Sequence, residues 1–189
     1  GSTDAAGVLV GLNQLCGSLL SRTELCELGL KIGADVPFCV VGGLQHAHGV
    51  GDKLSPVRQG SAFYVVLVKP ESCVLTRDVF GALDMEQLDF RPDNKKAVAA
   101  LEAGDAEALA GALGNVLRTV TRRICPDVDN FCDLLEEQGA LGVNMTGSGP
   151  TVYGLFRNFE EALEALRVIR HHGPEWCCAV STAGDGITF

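Results

Sequence analysis

The run Val143-Asn144-Met145-Thr146-Gly147-Ser148-Gly149-Pro150-Thr151-Val152-Tyr153 constrains this chain more than any other stretch. Apolar, β-type residues flank Thr146–Pro150 on both sides, so two strands meet at a turn with glycines at 147 and 149. Glycine permits backbone angles that a side chain forbids and lets a ligand approach the main chain. Successive exposed N–H groups in such a turn form a concave anion site, and Thr146 and Ser148 add hydroxyl donors. Taken alone, the turn supports two readings: a tight hairpin with a glycine corner, or a phosphate cradle.

Two other stretches bear on that choice. Gly1-Ser2-Thr3-Asp4-Ala5-Ala6 runs into an apolar segment with helical spacing through Val8, Leu9, Leu12, Leu15, Cys16 and Leu19. A glycine-rich entry to a helix, with free N–H groups at the positive dipole end, favours phosphate. Gly7, Gly11 and Gly17 weaken helix propensity, which predicts close packing against a neighbour. In Gly33-Ala34-Asp35-Val36-Pro37-Phe38, a carboxylate stands between glycine and apolar residues. Asp35 reads either as a turn or N-cap aspartate, or as a carboxylate held in an apolar shell of Ala34, Val36, Pro37 and Phe38, able to take a proton from a hydroxyl.

The remaining pattern organises these motifs. Ser21 and Glu24 form a capping-box pattern for a helix that Gly33 ends. Cys39 to Leu54 reads as strand, turn, strand, with His46 and His48 on one strand face, a spacing open to metal but without a third ligand nearby. Residues 55–62 read as a linker. Phe63–Val68 is a buried strand, and 76–83 a short helix capped by Thr76. Helices broken at Gly104-Asp105 fill 92–123, where Arg118, Arg122 and Arg123 form either a phosphate-holding or a solvated face. Pro126 starts a helix that Gly139 stops, and Asn158 caps another carrying Leu163, Leu166 and Ile169. Strands are expected at 141–145, 151–156 and 177–181. From Phe63 onward the order is strand, helices, strand, strand, helix, strand, a ferredoxin-like pattern with extra helices.

Composition excludes some classes. A net charge of −9 argues against nucleic acid or an anionic membrane as partner. The eight cysteines include no C-x-x-C, and Cys177-Cys178 are adjacent, so they read as reduced structural thiols of a cytoplasmic protein. No signal peptide opens the chain, and no apolar run is long enough to span a bilayer.

In this order, the motifs resemble those of the GHMP small-molecule kinases. The similarity runs through Gly1–Ala6, Gly33–Phe38, Gly42-Gly43 with Gly49-Val50-Gly51-Asp52-Lys53-Leu54, Lys69-Pro70, and Met145–Gly154, and so covers nearly the whole chain. Within the family, the chain most resembles the branch that phosphorylates the 2-hydroxyl of a diphosphocytidyl methylerythritol in the non-mevalonate isoprenoid pathway.

The resemblance implies an α+β, two-lobe fold. Residues 1–56 would complete an N-terminal nucleotide-binding lobe, and 57–189 would form a ferredoxin-like C-terminal lobe. It implies ATP and Mg²⁺, with Gly1, Ser2 and Thr3 on phosphate and Ser2 near the metal. Asp35 would be the base. Thr76 and Phe80 would contact the cytidine group, Phe80 otherwise being a core residue, and Gly147, Ser148 and Gly149 would shape the acceptor side. Partners would be small molecules, with pairing as a homodimer left open. Because Gly1 falls within the family's nucleotide loop, the chain reads as the later part of a longer protein. Alone it is then expected to be a weak or inactive kinase, with Val8, Leu12 and Leu15 uncovered. Two alternatives stand beside this reading: another GHMP kinase, of homoserine or mevalonate type, and a noncatalytic truncated binding module.

Overall fold

A computed structural model describes residues 1–182, except Val50, Met85, Gln87 and Asp89. Val50, within the Gly49–Leu54 stretch, therefore lies outside the described residues. The chain divides into two compact units, 1–59 and 60–182.

The first unit holds α1 (Ser2–Leu15), α2 (Arg22–Leu30), α3 (Val36–Val41) and a hairpin of β1 (Gln45–His48) and β2 (Lys53–Pro56). The Ser21 hydroxyl accepts from the Glu24 N–H at 3.3 Å, and the Glu24 carboxylate accepts from the Ser21 N–H at 2.8 Å, so the capping box forms as read. The bond from the Ser21 N–H, and after it the Ser21 hydroxyl donating to the same carboxylate at 2.7 Å, hold the Glu24 carboxyl below its ordinary range. The three helices meet at a small cluster of Ala6, Leu25, Val36 and Val40.

Two expectations fail in this unit. Cys39–Val41 is helix rather than strand. Val36 and Val40 are one helical turn apart, and burying both against α1 and α2 outweighs their β preference. In α1, nothing lies within 4 Å of where a side chain at Gly7 or Gly11 would sit. Val8, Leu12 and Leu15 are exposed, and only Ala6 of this helix is buried. The rings of His46 and His48 do share a face, with centroids 4.0 Å apart. Among the described residues, no group of three or more His, Cys, Asp or Glu could hold a metal.

The second unit is built on β3 (Tyr64–Lys69). After it come α4 (Thr76–Gly81), α5 (Asn94–Ala103), α6 (Ala106–Ala112), α7 (Arg118–Ile124) and α8 (Asp127–Glu137). Then follow β4 (Gly142–Met145), β5 (Val152–Phe156), α9 (Phe159–Ile169) with a 3-10 turn, and β6 (Trp176–Ser181). The sheet order is β4-β5-β3-β6, and every pairing is antiparallel. The second strand hairpin splits the unit, as in a ferredoxin-like β-α-β-β-α-β arrangement, with the extra helices all between β3 and β4.

Alternation along the strands divides the core into two layers. Val66, Val68, Val143, Met145, Val152 and Phe156 face α8 and α9, where Val128, Leu135, Leu166 and Ile169 meet them. Val65 and Leu155 belong to a smaller layer with Phe63, Ala100 and Leu109. Asn158 caps α9 by accepting from the Glu161 N–H at 2.9 Å, as its position predicts. No helix among the described residues is long and apolar enough to cross a membrane, and all eight cysteines are free thiols.

Candidate functional site

The glycine turn joins two strands whose register ends at Met145 opposite Val152. Beyond that pair, the Thr146 N–H donates to the Thr151 carbonyl at 2.9 Å and the Gly149 N–H to the Thr146 carbonyl at 2.8 Å. Gly147 and Gly149 have φ of 50° and 80°, in the left-handed region, and the Gly149–Pro150 peptide is cis. A side chain at Gly149 would collide with the Met145 sulfur and come within 3.1 Å of Thr121 Cγ2, whereas nothing lies near Gly147. The corner therefore needs glycine at 149 for both angle and space, and at 147 for angle alone.

Three side chains from distant segments hold this turn. The Asn115 Nδ2 donates to the carbonyls of Met145 and Gly147, each at 2.8 Å, while its Oδ1 accepts from the Leu117 N–H at 2.9 Å. The fully buried Thr121 Oγ1 lies 3.1 Å from the carbonyls of both Ser148 and Leu117. The Thr76 Oγ1 lies 2.9 Å from the Ser148 Oγ. Asn115 and Thr121 do not emerge from sequence reasoning, because the carbonyls they reach are about 30 residues away. The only signal is a polar residue three positions ahead of a helix and a threonine inside it.

Thr76 corrects a reading. It is the first residue of α4, not its cap; Leu75 takes the N-cap position, and no side chain caps the helix. The Thr76 hydroxyl instead turns toward Ser148. One turn on, Phe80 is 58% exposed, which removes the core-packing alternative for that ring.

Of the arginines, Arg122 is exposed, as a solvated face has it, while Arg118 is half-buried. Arg118 and Arg122 both pair with Asp129 of α8, at 3.0 and 2.7 Å, one to each carboxylate oxygen. Arg123 is exposed. The helical period separates Arg123 from the other two, so no three-arginine face exists.

In the first unit, Gly1 is the N-cap of the 14-residue α1, and the Asp4 carboxylate accepts from the Gly1 amine at 3.0 Å. The first-turn N–H groups of such a helix have no intrahelical acceptor and point outward. Ser2 is half-buried and Thr3 exposed. The Thr3 Oγ1 lies 3.7 Å from the Cys39 Sγ, which places α1 beside α3 one turn past Asp35. Asp35 is the N-cap of α3, but its carboxylate makes no cap hydrogen bond. The apolar shell expected around it is only half present: Val36 and Pro37 turn inward, while Asp35, Ala34 and Phe38 are exposed.

The sequence matches two family models, GHMP kinases N terminal domain over residues 1–43 and GHMP kinases C terminal over 97–175. Together these cover well over half of the chain. A 4-diphosphocytidyl-2-C-methyl-D-erythritol kinase of Caldicellulosiruptor saccharolyticus is 45% identical over 165 residues, 87% of this chain and 57% of the relative. A crystal structure of a 4-(cytidine 5'-diphospho)-2C-methyl-D-erythritol kinase aligns with TM-score 0.79 and 30% identity, covering 95% of this chain and 63% of that one. A homoserine kinase structure from Cytophaga hutchinsonii aligns with TM-score 0.76 at 18% identity, covering 92% of this chain and 61% of that one, and so shares the fold. The chain thus spans about three fifths of the length of the curated relative and of both solved chains. Its two family matches, the split four-stranded sheet and the braced glycine turn agree: the chain belongs to the GHMP kinase family.

Proposed function

We propose that this chain carries the acceptor-side machinery of a 4-diphosphocytidyl-2-C-methyl-D-erythritol kinase, which moves the γ-phosphoryl group of ATP to the substrate's 2-hydroxyl. The observation that carries this reading is the 45% identity to a kinase of that name across 87% of the chain. The local geometry supports it. Thr76 and Ser148 meet through the 2.9 Å hydroxyl contact, and exposed Phe80 follows Thr76 by one helical turn, offering a polar edge and an aromatic face to a cytidine group.

Phosphoryl transfer requires positioning and charge stabilisation more than covalent chemistry. On this reading Asp35 accepts the proton of the 2-hydroxyl as its oxygen attacks the γ-phosphorus and ADP leaves. The absence of a cap hydrogen bond keeps both carboxylate oxygens available. The N–H groups of Ser2 and Thr3 at the start of α1 hold phosphate oxygens, with Gly1 leaving the approach open. The turn at Gly147, Ser148 and Gly149 shapes the acceptor side.

Mg²⁺ bound with the nucleotide would be held here by the half-buried Ser2 hydroxyl, as one oxygen donor beside phosphates and water. When bound, Mg²⁺ neutralises charge on the transferring phosphates. We place the protein in the cytoplasm, acting on small molecules, in keeping with its net charge of −9 and free thiols.

Calorimetric titration of the 189-residue chain with 4-diphosphocytidyl-2-C-methyl-D-erythritol, homoserine and mevalonate tests the substrate class. The cytidyl compound should bind, and Phe80→Ala should weaken it about tenfold through lost stacking. Binding of homoserine or mevalonate in its place would assign the chain to another branch of the family.

A further inference from the structure

A cavity of about 280 Å³ opens beside the edge strand β4, and neither Thr76 nor Phe80 lines it. The segment Leu113–Asn115, the α7 residues Arg118, Thr119 and Arg122, Phe90, and Val143 and Asn144 line it. All of these belong to the second unit.

Its polar lining consists largely of donors. Among the described residues, Arg118 and Arg122 are the charged residues of the wall, and they share a single carboxylate, Asp129, whose two oxygens are both engaged. Two guanidinium charges thus stand against one carboxylate among those residues. The Arg118 Nε is buried without a hydrogen-bond partner.

Asn144 is 5% exposed. Its Oδ1 accepts from the Met145 N–H at 2.8 Å, while its Nδ2 donates to no group among the described residues. That NH₂ is therefore free to donate to a group seated in the cavity. Thr119 donates to the Val116 carbonyl at 2.7 Å and retains lone pairs.

We propose that this cavity is a binding site for phosphate or a small phosphate ester, distinct from the reacting groups assigned above. Two guanidinium groups and an amide approaching from separate elements suit a tetrahedral oxyanion with three or more free oxygens, whereas a carboxylate offers two. Phe90, Leu113 and Val143 give a compact apolar wall for an ester's carbon body. The site backs onto the catalytic turn, because Asn115 lines the cavity and also holds the Met145 and Gly147 carbonyls. Asn115 itself has no donor left for the anion, since both its amide protons are held by the turn.

The test is calorimetric titration of the 189-residue chain with inorganic phosphate, glycerol 3-phosphate and acetate, repeated on three variants. Wild type should bind both phosphates and not acetate. Arg122→Gln should weaken phosphate binding about tenfold or more, the cost of losing a charge-assisted contact. Arg123→Gln, on a residue outside the wall, should leave binding unchanged. Asn144→Asp keeps an acceptor for the Met145 N–H but puts negative charge into the cavity, and should abolish binding. If that variant fails to fold, the Arg122 and Arg123 pair decides alone. Glycerol 3-phosphate binding more tightly than inorganic phosphate identifies an ester as the ligand; equal affinity identifies free phosphate. No uptake by wild type, or equal losses in Arg122→Gln and Arg123→Gln, overturns the site.

Discussion

The hydroxyls of Thr76 and Ser148, 72 positions apart in sequence, lie 2.9 Å apart in the fold. Both residues stand at starts and corners, where the backbone does not need their side chains. Thr76 is the first residue of α4 and caps nothing. Ser148 sits between two glycines of positive φ. Since Thr76 is exposed, this contact should contribute little to stability and more to arranging the surface beside Phe80. Thr76→Val and Ser148→Ala should each change unfolding free energy by less than about 1 kcal/mol. A double-mutant cycle on cytidyl-substrate affinity should show coupling, and strict additivity would separate the two roles.

Asn115 is a different case, because it spends both amide protons on the turn and its oxygen on Leu117. Asn115→Ala leaves two carbonyls without donors. It should destabilise the chain by about 1–3 kcal/mol in urea unfolding, with an unchanged dependence on denaturant. Asn115→Asp retains the bond from Leu117 but presents oxygens to both carbonyls, and should fare no better.

The two glycines of the turn should separate cleanly. Gly147→Ala meets open space and pays only for its φ of 50°, about 1–2 kcal/mol. Gly149→Ala adds a collision with the Met145 sulfur and Thr121 Cγ2, so its loss should be larger. Gly149→Val should be worse still. Equal melting points for Gly147→Ala and Gly149→Ala would show that the corner relaxes freely.

Burial pushes the Cys132 thiol up to about 11. The unfolded thiol ionises near 8.5. The folded state thus keeps a proton that the unfolded state loses, and stability falls as pH rises between those values. The contribution is fully present at neutral pH and is lost toward pH 11. Cys132→Ala should flatten the alkaline limb of the stability profile by roughly 3 kcal/mol, at the cost of a small cavity. At neutral pH, alkylation should reach exposed Cys16 and Cys73 well before Cys132.

What could be read in the sequence was local. The Ser21–Glu24 box, the Asn158 cap, the strands around the turn and the helix breaks at Gly104 and Gly139 all follow from residues within a few positions of one another. What could not be read depended on partners far along the chain. Cys39–Val41 carries β-type residues, and only the cluster with Ala6 and Leu25 makes it helix. Thr76 fits a cap pattern, yet a serine from another segment takes its hydroxyl. Arg118 and Arg122 look solvated until Asp129, one helix on, pairs with both. Asp35 sits among apolar neighbours in sequence, but two of those neighbours face solvent.

The central claim is that this chain holds the base and the acceptor side of a cytidyl-substrate kinase. Its most direct test is a chimera in which the matched region of the Caldicellulosiruptor saccharolyticus relative is replaced by this chain. ATP-dependent phosphorylation of 4-diphosphocytidyl-2-C-methyl-D-erythritol would be measured with and without Asp35→Asn. The account predicts turnover in the chimera and a kcat lower by roughly 100- to 10,000-fold in the Asp35→Asn form, with substrate affinity nearly unchanged. Turnover within a few-fold of the unsubstituted chimera would contradict it.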